Sequence, residues 1–414
     1  MSNYAHTKVD YISILGALYI ILEPIMSIYG WFGLSFAKIF SYIVVFLYII
    51  KRFVKQEQGN ALPKYLLIYF VWLFIGNYLS FGKIIPLGNI LQFLLFLSIF
   101  YIVKIDSFLK IYRNVAYIFI AFFILQELSF YITGHRIVGI LEWLPICFGG
   151  ADFDINHYIL YQEVGDRSAS FFSEPAHFAQ FLLPLLSIEL LKLKDLRSAI
   201  FPSIIIIVLL LLRSGNGMVG LGCVFVMYFV SVVRQNKLKS KLIMGLFLVA
   251  ISSSLYFYAK SDMGNSLLER SDTMTGEVDT SSGFLRTFRG YYIYDEYNLL
   301  EKITGINNMD IIKSKRDQCD VSWTFLNDND MYVNCIQDIL LRTGVIGAII
   351  FLMLFWSIWR HNTLSGRTIL ITFIILSFIA SLYMSSTMML YLYLAYFLKP
   401  SKQNNCNHQQ IAIS

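Results

Sequence analysis

What most constrains this chain is the recurrence of long apolar stretches. A helix needs about 20 mostly apolar residues to cross the hydrocarbon core of a bilayer. Judged on length and flanking charge, about twelve such runs occur, centred on 11–30, 34–50, 65–81, 87–103, 111–132, 177–191, 198–212, 217–233, 242–259, 336–358, 368–383 and 386–398. Several are short or interrupted by Gly and Pro, which leaves the count open by one or two. The chain is 57% hydrophobic and only 14% charged, with a mean hydropathy of +0.61. The expected fold is an all-α integral membrane protein, a single polytopic domain of about 12 transmembrane helices. No small-residue cleavage site follows the first run, which continues to Trp31, so it reads as a span rather than a cleaved signal.

Basic residues set the expected orientation. Segments 1–10, 51–64, 104–113, 192–197, 234–241, 359–367 and 399–414 fall on one side and together hold 19 Lys or Arg against 4 Asp or Glu. The positive-inside rule makes that side the cytoplasm, with both termini on it. A medium loop, 133–176, and a large loop, 260–335, then face outward, which in a bacterium means the periplasm. The tail 400–414 is polar and reads as a disordered cytoplasmic segment. The net charge of +6 follows from this orientation and gives no support to nucleic-acid binding. The 27 tyrosines and 35 phenylalanines suit interfacial belts and helix packing. The five cysteines have no metal-like spacing. Cys147 and Cys319 both fall in outer loops, where an oxidising compartment permits a disulfide between them.

The densest polar signal beside an apolar run is Arg167-Ser-Ala-Ser-Phe-Phe-Ser-Glu-Pro-Ala-His-Phe-Ala-Gln-Phe181. Pro175 suits the first turn of a helix, so Ser173 or Glu174 stands at or beside the N-cap. Helical spacing puts Glu174, His177, Phe178 and Phe181 on one face, with Arg167 on the loop leading in. Such a helix start is an anion site flanked by an arginine, a carboxylate and an imidazole. The same residues permit a plainer account, in which Glu174 caps its own helix and His177 anchors at the interface. Two carboxylates lie inside other spans, Glu23 before Pro24 and Glu127 in the fifth run. Each is either functional, as intramembrane carboxylates often are, or close enough to a helix end to reach water.

The outer loops supply further candidates. Loop 133–176 carries His135, Arg136, Glu142, Asp152, Asp154, His157, Glu163, Asp166 and Arg167, with Trp143, Leu144 and Ile146 around Pro145 as an interfacial anchor. The short turn Leu212-Arg213-Ser-Gly-Asn-Gly217 holds Arg213 at the outer membrane edge. There it either snorkels to headgroups or joins Arg167 as a bidentate phosphate clamp. Loop 260–335 holds 13 acidic and 8 basic residues and no histidine. Within it a helix over 284–295 sets Arg286 and Arg289 on one face among aromatics, an arrangement that fits sugar or lipid contact and also fits any interfacial helix. The chain re-enters the membrane through Asp338 and Arg342, spaced for an ion pair, then Thr343-Gly344-Val-Ile-Gly347.

Taken together, these stretches resemble Wzy-type O-antigen and capsule polymerases, which share a superfamily with the O-antigen ligases. The likeness rests on Arg167…Phe-Phe-Ser-Glu174-Pro-Ala-His177-Phe, on Arg213-Ser-Gly opening a span, on Arg286 and Arg289 followed by Ile303-Thr-Gly305-Ile-Asn307, and on Tyr332-Val…Leu-Leu-Arg-Thr-Gly344-Val-Ile-Gly347. It covers roughly 167–350, with the hydropathy pattern similar throughout. One feature departs from the pattern. Ligases and some polymerases carry a His-Asn-x-Tyr-Leu-like segment before re-entry, where this chain reads Asn329-Asp330-Met331-Tyr332-Val333. The histidine is absent, which argues against a ligase and leaves the catalytic base open. Asp330 in that stretch joins Glu174 and His177 as catalytic candidates.

The resemblance implies transfer of a growing glycan from undecaprenyl pyrophosphate to the terminal sugar of a new lipid-linked repeat unit, at the periplasmic face of the inner membrane. Membrane lipids, a chain-length regulator and a flippase are the partners that the resemblance implies. The residue types agree with the chemistry. A sugar hydroxyl attacks the anomeric carbon and expels a lipid pyrophosphate, whose charge Arg167, Arg213, Arg286, Arg289 and a helix N-terminus can stabilise. A carboxylate or imidazole takes the hydroxyl proton or orients the acceptor, and an imidazole, titrating near neutrality, is the better base. No cofactor or nucleotide motif is expected, since the lipid itself is the activated donor, and no metal is required if arginines do this work. Competing readings are an O-antigen ligase, differing only in acceptor, and a lipid-linked oligosaccharide flippase or other transporter. Transporters favour short loops and midplane sites, whereas this chain concentrates its ionisable residues at the outer edge.

Overall fold

The computed structural model describes residues 10–54, 56, 58–81, 87–141, 143–147, 159, 162–163, 167–193, 195–234, 282–319 and 333–399. The expected span 242–259, Asp330 and the tail 400–414 lie outside the described residues, as does the side chain of Arg286. Each other expected span coincides with a helix. In chain order these are α1 (Tyr11–Met26), α2 (Phe36–Ile49), α3 (Lys64–Phe81), α4 (Leu87–Ile102), α5 (Ile105–Thr133), α6 (Pro175–Leu190), α7 (Leu196–Leu211) and α8 (Gly215–Arg234). Three helices of the large loop follow, α9 (Ser282–Asp295), α10 (Leu299–Thr304) and α11 (Met309–Arg316), and then α12 (Cys335–Arg360), α13 (Leu364–Ser377) and α14 (Ser386–Phe397). A two-residue turn with positive φ at Phe32 and Gly33 joins β1 (Gly30–Trp31) to β2 (Leu34–Ser35), the geometry favoured in tight hairpins.

The chain is a mostly helical membrane protein in outline. α5, the stretch Gly215–Val233 of α8, and α12 are long and apolar enough, by length and composition, to cross a membrane. α5 shows why its sequence suits lipid. Phe108, Tyr112, Ala116, Phe119, Ile120, Phe123 and Gln126 are buried along one face. Tyr117, Ile118, Ile124, Leu125, Leu128 and Tyr131 line the exposed face. Both faces are apolar, unlike a surface helix in water, which shows its polar residues outward.

Other helices are shorter than the expected runs. The run 368–383 is helical only to Ser377. The chain then turns through Met384, whose φ is 55°, and restarts at Ser385, which caps α14 by accepting from the Met388 N–H at 3.1 Å. At 1.5 Å per residue the 12 residues of α14 extend about 18 Å, well short of a ~30 Å hydrocarbon core. Its place is the interior. Residues Met388 through Ala395 are all buried, as expected of a helix that is apolar all round, and it packs against α1, α6 and α13. Tyr391 Oη donates to the Gln180 carbonyl at 3.0 Å. That carbonyl is open because Pro184, four residues on in α6, has no N–H to offer it. The neighbouring Phe181 carbonyl takes the Tyr112 hydroxyl.

α12 is broken at Gly344, where φ is 62° and ψ −170°. The opposing residue is Gly305, with φ 78° and ψ 172°. Both conformations are essentially glycine-only. The two backbones also touch, since a Cβ on Gly344 would lie 2.3 Å from the Ile303 carbonyl oxygen and one on Gly305 would lie 2.3 Å from the Thr343 nitrogen. The break frees two carbonyls, and both find partners. Leu341 accepts from the Ile306 N–H at 2.8 Å and Thr343 from Trp72 Nε1 at 2.9 Å. The helices of the large loop are thereby seated on α12, with a small core of their own around Ile293, Tyr297, Ile306, Ile312 and Leu341.

The helix ends sort into two groups. At one end Asp10 pairs with Lys51 at 3.3 Å and Lys104 at 3.0 Å, Asn60 Nδ2 donates to the Val103 carbonyl at 2.6 Å, and Thr363 Oγ1 donates to the Leu398 carbonyl at 2.6 Å. At the other, Tyr29 bridges to Ile146, Ser80 reaches Gly305, and the Cys335 N–H donates to Ala380. Asp10, Lys51, Asn60, Lys104 and Thr363 lie in segments marked above by their basic charge.

Candidate functional site

The stretch 167–174 is held by buried hydrogen bonds before the helix it leads into begins. Ser170 has φ 55°, and its N–H donates to Gln126 Oε1 at 2.9 Å while its hydroxyl donates to the Phe119 carbonyl at 2.8 Å. Gln126 Nε2 donates in turn to the Ile137 carbonyl at 2.8 Å. Gln162 donates to Phe172 O at 2.8 Å and accepts from the Gly139 N–H at 2.9 Å. Gly139 is required at that approach, because a Cβ there would lie 1.9 Å from Ser170 O. Between these anchors Phe171 stacks on Phe122 and Phe172 on Phe178, with centroids 4.1 and 5.3 Å apart.

Pro175 opens α6 with Glu174 at the N-cap, but the Glu174 side chain makes no cap hydrogen bond. Among the described residues its carboxylate forms no ion pair, and it is exposed. The plainer account of Glu174 as a cap therefore lacks its defining bond. His177, one turn in, is exposed with Nδ1 3.3 Å from the Ser173 hydroxyl.

The two arginines meet. Arg167 Nη1 donates to the backbone carbonyl of Arg213 at 3.4 Å. Arg213 sits in the tight turn between α7 and α8 with φ 47°, a strained conformation for a residue with a side chain. The next residue, Ser214, is buried and accepts from the Gly217 N–H, which fixes the start of α8. Arg213 Nε is buried and, among the described residues, has no hydrogen-bond partner. A cavity of about 620 Å³ opens beside it, lined by Phe123, Ile124, Glu127, Leu128, Phe130, Tyr131, Gly134, Leu211 and Arg213.

Glu127, set aside above as either functional or near water, belongs to this cluster. Its Oε1 accepts from Arg136 Nε at 3.3 Å and from the Ser168 hydroxyl. The Arg136 side chain is fully buried, and its guanidinium lies 3.7 Å from the centre of the Phe130 ring, a cation–π contact. The sequence places Arg136 only among the ionisable residues of loop 133–176. A carboxylate inside an apolar run, nine residues before a loop arginine, was the available signal.

Arg289 is on the expected helix α9 but is completely buried. Gly290 beside it lies against Gln337 at the start of α12. The spacing that puts Arg286 and Arg289 on one face is thus a spacing toward the protein interior at Arg289. Asp338 and Arg342 form the expected ion pair, Nε to Oδ1 2.6 Å. Cys147 and Cys319 are both free thiols, Cys319 Sγ donating to the Lys315 carbonyl at 3.6 Å. Among the described residues no group of three His, Cys, Asp or Glu is disposed to hold a metal ion. No protein-family model matches the chain, and no curated protein matches it.

Proposed function

We propose that the chain polymerises lipid-pyrophosphate-linked oligosaccharide repeat units into a bacterial O-antigen or capsular polysaccharide, as a glycosyltransferase of the inner membrane. In this reading about twelve helices cross the membrane, both termini are cytoplasmic, and loops 133–176 and 260–335 are periplasmic. The clustering of Asp10, Lys51, Asn60, Lys104 and Thr363 at one end supports that arrangement.

The observation that carries the reading is the Arg167–Arg213 contact at the mouth of an apolar cavity. A lipid pyrophosphate is a dense anion on a hydrocarbon chain, and the cluster offers a counterpart to each part. Phe123, Ile124, Leu128, Tyr131 and Leu211 suit the first isoprenyl units. Arg213 presents a guanidinium Nε with no partner among the described residues, already desolvated, so it need not shed bound groups to take a phosphate oxygen. Glu127 and Arg136 hold the loop that carries Arg167 in place. Glu174 and His177 stand at the open start of α6, exposed and within one helical turn of each other, where one can take the proton of the acceptor hydroxyl as the glycosidic bond forms.

Gel analysis of surface glycan from a deletion strain tests the reading. Loss of long chains with retention of a single capped repeat supports polymerisation. Complete absence of the repeat points to ligation or flipping, and unchanged chain length overturns the proposal.

A further inference from the structure

A second cavity, away from the arginine pair, has a different lining. It occupies about 380 Å³ between α1, α2 and α4 and is bordered by Glu23, Ser27, Ser41, Tyr42, Gln92 and Cys147, among others. A third, of about 260 Å³, is bordered by Asn89, Gln92, Asn307, Arg342 and Tyr383. Gln92 belongs to both, and its side-chain amide donates to the Met384 carbonyl in the turn before α14. One amide thus forms the wall between two polar cavities.

Glu23 is the costly group here. A carboxylate within an apolar helix is retained for a reason, structural or functional. Its carboxyl lies within reach of the Ser386 hydroxyl in the first turn of α14. α14 does not depend on it for a cap, because Ser385 already accepts from the Met388 N–H. The same carboxyl borders the larger cavity together with Ser27, Ser41, Tyr19 and Tyr42. The linings hold donors and acceptors in mixture, with aromatic faces at Tyr19, Tyr42 and Tyr383. Each lining also holds one cation, Lys38 in the larger and Arg342, paired with Asp338, in the smaller, and the mixture does not match an acyl chain. It matches a polyhydroxylated ligand, which needs many partners of both kinds and an apolar ring face to lie on.

We propose that these two cavities form a second carbohydrate site, which takes sugars of the oligosaccharide remote from its pyrophosphate, with Glu23 and Gln92 accepting and donating to sugar hydroxyls. The site rests on the polymerase reading and adds to it a place where sugars far from the reacting carbon are recognised.

Cys147 lines the larger cavity and is the one described cysteine that is not buried, so the protein carries its own probe. The full chain with Cys406→Ser is placed in lipid nanodiscs, and the rate of Cys147 modification by a small polar maleimide is followed. The probe ligand is the host strain's repeat-unit oligosaccharide, freed from its lipid by mild acid. We expect the oligosaccharide to slow modification at least about fivefold, and this protection to be lost in Glu23→Gln and in Gln92→Leu. Ser41→Leu, a change at the cavity wall that leaves Glu23 and its helix contact intact, weakens protection without affecting the thermal midpoint. Equal rates with and without oligosaccharide overturn the proposal, as does protection that persists in all three variants. The deletion strain separates the two levels. Loss of polymer with an unprotected Cys147 sinks this site alone, whereas a deletion strain with normal polymer takes the polymerase reading and this site down together.

Discussion

Arg167 donates to the backbone carbonyl of Arg213, joining the loop before α6 to the turn before α8 across 46 residues of sequence. The contact makes a cation on one segment depend on the backbone shape of another. Arg213 adopts φ 47° to present that carbonyl, and Ser170 adopts φ 55° in the loop that delivers Arg167. Strain on both sides of one contact is the kind of outlier from which a functional hypothesis can start.

Arg167→Lys and Arg213→Lys should each abolish long polymer at normal protein levels, although both keep the charge. Lysine cannot reproduce a planar fork of donors, and loss of one preorganised donor costs about a hundredfold or more in rate. Glu174→Gln and His177→Ala should be comparably impaired, which glycan gels of complemented deletion strains would reveal. Glu174 makes no cap bond to lose, so instability cannot account for a loss at that position. Long polymer in all four variants would place the site elsewhere.

Glu127→Ala should be destabilising, because it removes a carboxylate paired with the fully buried Arg136 side chain. Breaking one side of a buried pair costs about 3–5 kcal/mol. The double variant with Arg136→Met removes both members of the pair and should regain part of the loss. Thermal unfolding of the two single variants and the double in detergent gives the coupling directly. Additive losses would mean that Glu127 and Arg136 act independently, against the 3.3 Å contact.

How much of this was legible in the sequence depends on whether the signal is local. Pro175 marked the start of α6, and the brevity of the 212–217 turn tied Arg213 to the helix ends, so Arg167 and Arg213 could be named together beforehand. Asp338 and Arg342 are one helical turn apart, and local spacing sufficed. Glu127 and Arg136 are nine residues apart across a helix end, and only the path of the loop brings them together. The burial of Arg289 was not legible, because aromatics surround it in sequence whether it faces a ligand or the interior. α14 and the outer face of α5 are equally apolar, yet one is core and the other faces outward. Hydropathy cannot separate burial in protein from exposure to lipid, since both reward the same side chains.

Gly344→Ala and Gly305→Ala should each cost more than an ordinary glycine replacement. Either residue would be forced into a conformation that costs about 1–3 kcal/mol, and its Cβ would also meet backbone rather than a side chain that can swing away. Gly88→Ala, where nothing lies within 4 Å, is the matched control. Proteolysis of the large loop should accelerate in the first two variants, because this contact seats the loop helices on α12. If the three variants are equally stable, the break in α12 is not what holds the loop.

Asp10 offers a prediction with a definite pH sign. Burial by itself would raise its carboxyl, but hydrogen bonds from Lys104 and the Ser13 N–H, with the charges of Lys51 and Lys104, outweigh that and hold it below its ordinary value of 3.8. A carboxyl lowered in the folded state contributes stability that is fully present above its unfolded value and is lost as pH falls through the folded one. Asp10→Asn keeps a capping side chain at the start of α1 while deleting the charge, since asparagine caps as well as aspartate. The wild type should therefore unfold at higher temperature than Asp10→Asn at neutral pH, by an amount that stays constant down to about pH 5. The gap should then close as pH drops below 3.8. At neutral pH it should also shrink in high salt, because Lys104 is largely exposed and its attraction to Asp10 is screened. A gap that widens on acidification would mean that the Asp10 charge opposes the fold, and that the three segments meeting there are held together by something else.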